Sequence, residues 1–141
     1  MISRQEFTRF LWESLQENKY VWLNPGVQLE KEDAVPEILI APKSVRKLLP
    51  QMRENPGVGA CRASFRFEHT FAVFSFEEKQ YPIKFVHKMV SCNLYFMDEA
   101  DIYRQRVRNR QGIFIHSIEH SFEYAILHAL LNRRGEGEEE S

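Results

Sequence analysis

Residues 60–87 read ACRASFRFEHTFAVFSFEEKQYPIKFVH, and no other stretch restricts the fold as much. At its start, Ala63, Phe65 and Phe67 alternate with Arg62, Ser64 and Arg66. Successive side chains of a strand point to opposite faces, so a period of two marks a half-buried strand. Runs at 60–67, 70–76 and 80–87 predict three strands, with turns at EHT and EEKQ. The chain carries 11 Phe and 5 Tyr, a composition that suits an aromatic core with strands in it.

The flanking segments supply helices. Ser3 and Glu6 make an S-x-x-E capping box. Phe7, Phe10, Leu11, Ser14 and Leu15 then recur at helical spacing and predict a helix over 4–17. YVWL (20–23) reads as a short strand broken by Asn24-Pro25-Gly26, and QLEKEDAVP is a polar connection. EILIA (37–41) reads as a second strand. Pro42 fits the first turn of a helix continuing to about Arg53. After the meander, Asp98 is placed to cap a short helix, DEADIYRQRV. NRQG is a turn, 113–116 a last strand, and Ser117 the cap of a final helix. The expected fold is α+β: one domain over 1–134, with a mixed, largely antiparallel sheet flanked by helices. Residues 135–141, GEGEEES, are expected to form an acidic, unstructured tail.

The totals narrow the function. The 141 residues are 43% hydrophobic and 28% charged, with net charge −1. So small a net charge provides no strong field toward membrane and argues against nucleic acid as a partner. No apolar run reaches the length of a membrane span. The N-terminus shows no signal-peptide pattern, which points to the cytoplasm. Cys61 and Cys92 lack metal-ligand spacing and read as reduced thiols.

His116 to His120 spell His-x-x-Glu-His, an inverted zinc-protease motif. Such a site needs both histidines on one helical face and a third ligand. Here GIFIHS reads as a strand entering a cap, which places His116 before the helix. Glu119 falls in the first turn, where a carboxylate suits the helix dipole. A structural role is expected instead, and no metal. Phe122, Ala125, Ile126, Ala129 and Leu130 form an apolar stripe, with His120, Tyr124 and His128 beside it.

Several stretches together resemble the nucleotidyltransferase superfamily, the polymerase-beta-like fold, and within it small bacterial members. FLWESLQENKYVWLN is similar to the family's first helix and strand. EILIAPKSVRKLLPQM is similar to its second, acidic strand and following helix. YPIKFVH is similar to the strand carrying the third acid, and LYFMDEADIYRQRVRNRQGIFIHSIEHSFEYAILHALLNRRG to the C-terminal part. The resemblance implies three carboxylates holding two magnesium ions on nucleotide phosphates, with a Gly-Ser turn beside them. This sequence departs from that pattern. Asn24-Pro25-Gly26 replaces Gly-Ser, Val35-Pro36-Glu37 stands at the D-x-D position, and Lys84 stands at the third acid. The resemblance therefore implies a vestigial site in which Glu37 and Lys84, on adjacent strands, form an ion pair. Asp33 or Glu32, brought back by a loop, is the route by which a metal site would be completed.

Arg62, Arg66 and Lys84 are candidates for contacting a ligand, although charge on an edge strand also guards against aggregation. Arg104, Arg106, Arg108 and Arg110 read as a solvated helix end. An exposed aromatic face in SFRF or TFAVFSF would argue for a homodimer or a protein partner. The expected function is a catalytically degenerate nucleotidyltransferase-like domain, a pseudoenzyme that binds or scaffolds and needs no cofactor. One alternative is an active enzyme using displaced acids, with magnesium and a nucleoside triphosphate. Another is an unrelated immunity-type or regulatory module.

Overall fold

The computed structural model describes residues 4–24, 35–91, 94–95 and 97–140. Helix α1 (Arg4–Leu15) leads into β1 (Tyr20–Trp22), and β2 (Glu37–Ile40) leads into α2 (Pro42–Arg53). The meander follows as β3 (Ala60–Phe65), β4 (His69–Phe76) and β5 (Lys79–Val86). Next come β6 (Val90–Ser91), β7 (Leu94–Tyr95), α3 (Glu99–Gln105), β8 (Val107–Arg108), β9 (Phe114–Ile115) and α4 (Ile118–Glu140). Seven strands form one sheet in the order β3-β4-β5-β2-β1-β9-β8, while β6 and β7 pair separately. The β2–β5 and β1–β9 pairings are parallel and the others antiparallel. The α+β fold with a mixed, largely antiparallel sheet is therefore the observed one.

Strands β1 and β2 lie at the centre and are covered on both faces. Their runs YVW and, after Glu37, ILI are accordingly apolar at consecutive positions. On one face, Phe7, Leu11 and Leu15 of α1 and Val45, Leu48, Leu49 and Met52 of α2 meet Tyr20, Trp22, Ile38, Ile40, Phe74 and Phe85. The Phe7 ring stacks on Tyr81 at 4.5 Å between centroids. On the other face, Val21, Leu23, Leu39 and Val86 pack with Met89, Met97 and Ile102, and with Tyr124 and Leu127 of α4.

Local signals account for the element ends. Pro42 opens α2. Asp98 caps α3 by accepting from the Ala100 N–H at 3.1 Å. Ser117 Oγ accepts from the His120 N–H at 3.2 Å and caps α4. Gly112 takes φ +83 in the turn before β9, a conformation that costs glycine little.

The structure corrects three expectations. First, α3 stops at Gln105, because Arg106 turns extended (φ −61, ψ 150). Val107 and Arg108 then pair antiparallel with β9 as β8, as suits a β-branched residue. Second, α4 is continuous to Glu140, through residues expected to be an unstructured tail. Glutamate is a good helix former, and no proline interrupts 118–140. Third, the apolar stripe of α4 does not face the sheet: Ile118, Phe122, Ile126 and Leu130 are exposed, while His120 is buried. Ser3 of the capping box, Asp33, Glu32 and Cys92 lie outside the described residues. Cys61 is a free thiol. Among the described residues, no helix is long and apolar enough to cross a membrane.

Candidate functional site

The face of the sheet that carries α3 and α4 is only half covered. Directly opposed residues share a face, so the β3–β4 and β4–β5 registers align Ser64, Phe71 and Lys84 in one row. The parallel β2–β5 register adds Glu37 beside Lys84. One step along the same face lie Arg62, Val73 and Pro82. The β1–β2 end of this row is roofed by α4, and the β3–β4 end is open, with Arg62, Ser64 and Phe71 exposed.

Glu37 sits at the mouth of the roofed part. The Asn24 carboxamide holds its backbone, accepting from the Glu37 N–H at 2.8 Å and donating to the Val35 carbonyl at 2.8 Å. Asn24 thus extends the β1–β2 pairing by one side chain. Pro25 and Gly26 lie outside the described residues.

Glu37 and Lys84 stand opposite each other, yet the expected ion pair between them does not form. The Tyr124 hydroxyl donates instead to Glu37 Oε2 at 2.9 Å. The reason is the rotation of α4, which turns Tyr124 toward the sheet. A neutral donor satisfies the carboxylate without desolvating an ammonium group. Burial, and then the Glu37 charge, push the Tyr124 phenol well above its usual range.

The two histidines of His-x-x-Glu-His have different partners. His116 precedes α4, and its Nε2–H donates to the Leu23 carbonyl at 3.0 Å. Because a carbonyl only accepts, the proton is on Nε2. Its ring meets the Tyr124 ring edge-on at 5.6 Å. Burial holds His116 below the usual histidine range. His120 Nε2 lies 3.0 Å from Asp101 Oδ2. Burial works to raise Asp101, but hydrogen bonds from His120 and Arg104 outweigh it and hold it low. Among the described residues, no three His, Cys, Asp or Glu side chains are grouped as metal ligands.

His87 ends the strand expected to carry the third acid. Thr70 Oγ1 donates to its Nε2 at 2.7 Å, and its Nδ1–H donates to the Ile40 carbonyl at 2.8 Å. Burial lowers its pKa. This neutral imidazole bridges β4 and β2 around β5. It is a structural link and not a ligand.

Of the arginine cluster, Arg104 pairs with Asp101. Arg106 and Arg108 lie over the Phe114 ring at 4.4 and 4.6 Å. These cations are thus engaged at the β8 edge, and Arg110 is exposed.

The donor set around Glu37 is one carboxylate, one phenol and the Lys84 ammonium across the strand. Two magnesium ions need several hard oxygens that carry net negative charge, and these side chains do not fit them. The structure brings Lys84, Arg62 and Arg66 to one face with Phe71 among them. Sequence reasoning missed Tyr124, Asn24 and Phe71 as parts of this surface. The His120–Tyr124 spacing was the signal that polar residues of α4 face inward. Comparison with protein-family models, with curated proteins and with solved structures finds no match for this chain.

Proposed function

We propose that this chain is a catalytically degenerate nucleotidyltransferase-like domain that works by binding and not by turnover. The observation that carries the reading is the Glu37 position. Its carboxylate is capped by Tyr124, and opposite it stands Lys84, at the position that the resemblance gives to the third acid. The strand pairing also supports it: β1 against β2, then β5 parallel to β2, with both resemblance-bearing positions side by side. Such a surface retains polar and cationic groups for recognition while lacking the charge to clamp metal-bound phosphates.

The test is a thermal-shift titration with each of the four nucleoside triphosphates, with and without magnesium or manganese. A ligand that binds the native state raises the midpoint once its concentration greatly exceeds its dissociation constant. No metal-dependent rise is expected. A rise that requires the metal would overturn the proposal in favour of an active enzyme completed by Asp33 or Glu32.

A further inference from the structure

The β3–β4 hairpin keeps three phenylalanines in solvent: Phe65 is 54% exposed, Phe67 71% and Phe71 38%. They are interleaved with Arg62 and Arg66, and Lys84 lies beside Phe71 on the next strand. Among the described residues, no carboxylate forms an ion pair with Arg62, Arg66 or Lys84. Glu37, the nearest acid to Lys84 in register, is taken by Tyr124. After burial, Lys84 and then Arg66 depress the pKa of His69, with Glu68 acting against them, so these charges reach the same small area. Water alone does not favour three bare aromatic rings among unpaired cations on one hairpin.

We infer that the open face and free edge of this hairpin bind single-stranded nucleic acid. The spacing favours a chain of phosphates over a single one. Arg62 and Arg66 are four residues apart on one strand, about 13 Å, and Lys84 is two strands from β3, about 10 Å. Cations spread over that distance match successive phosphates of a strand better than a single phosphate. Phe71 lies between Ser64 and Lys84 on the flat sheet face, placed to stack a base. Phe65 opposes the buried Thr70 and so belongs to the other face. A flexible strand can cross the edge from Phe71 to Phe65, whereas a flat lipid surface meets only one of them. The net charge of −1 averages this patch away, so binding depends on contact and not on long-range steering. This surface shares Lys84 with the nucleotidyltransferase-like reading, but it uses no carboxylate and no metal, so the two are tested separately.

Fluorescence anisotropy of a labelled oligothymidylate with the full chain, across a salt series, tests it. Binding is expected at low salt, with log K falling against log salt at a slope of about −2 for three neutralised phosphates. Arg62→Ala, Arg66→Ala and Lys84→Ala should each reduce the slope by about 0.7. Phe71→Leu should weaken binding about tenfold and leave the slope unchanged, because stacking carries no counterion release. The thermal midpoints of these variants show that they fold. No binding at low salt would overturn the inference. So would binding that none of the four substitutions weakens, equal competition by thymidine monophosphate, or binding to phosphatidylserine vesicles in place of the oligonucleotide.

Discussion

The two faces of the sheet differ in what they spend their residues on. The face under α1 and α2 is dry and aromatic: Phe7, Phe10, Phe74, Phe76 and Tyr81 contact one another through edge-on and stacked rings. The face under α3 and α4 is closed over β1 and β2 and open over β4 and β3. It buries His116 and His120, and exposes arginines and a phenylalanine. One side supplies most of the cohesion, and that leaves the open end of the other free to keep exposed groups that add little to it.

The largest expected effect tests that division on a single strand. Phe74 and Phe71 are both on β4, three residues apart and on opposite faces. Phe74→Ala removes a fully buried ring and should cost about 3–5 kcal/mol. Phe71→Ala should cost less than about 1.5 kcal/mol, because its ring is partly solvated. Chemical denaturation of the two variants measures both, and comparable losses would break the comparison.

A smaller effect comes from the roofed end of the open face. Tyr124→Phe leaves the ring packing but removes the hydroxyl that caps Glu37. A loss of about 1–2 kcal/mol is expected, in the range for a hydrogen bond to a charged group. Tyr124→Phe combined with Glu37→Gln should lose less than the two single changes summed, since the uncapped carboxylate is the main penalty. Additive losses would show that the contact carries no coupling.

The smallest effect near neutral pH concerns His87 and His116. Both have pKa values lowered in the folded chain, with burial the leading cause. Below the unfolded value of about 6.5, the unfolded chain binds more protons than the folded one. Stability is therefore full above that pH and declines as pH falls toward the folded pKa values. The thermal midpoint should drop between pH 7.5 and 5.5, and His87→Gln should shrink that drop. An unchanged drop in the variant would remove His87 from the account.

The alternation at 60–67, the proline at the start of α2 and the Asp98 cap were legible because each is a local property of the chain. The adjacency of Glu37 and Lys84 was legible through the resemblance. Their failure to pair was not, because it depends on how α4 is rotated. Its sequence offers two stripes, and the more apolar one lies outward. The inward choice follows from what lies beneath: a carboxylate and the Leu23 carbonyl, which need donors that Tyr124 and His116 supply. Strands β6, β7 and β8 have two residues each, too few for any period to show. The open hairpin face was legible as charge on a strand, but not as a surface, since only the sheet order reveals that no helix among the described residues covers it.

The strand order also sets a sequence of events for the ribosome. Strand β1, made early, occupies the interior of the sheet, and its outer neighbour β9 pairs with it through Trp22 and Ile115. Almost the entire domain must be synthesised before that edge of β1 is satisfied. Until then the nascent chain presents YVW as an unprotected template for pairing. A stalled or shortened product ending before β9 would be a candidate for chaperone capture or aggregation, even with most of the α1–α2 core already in place.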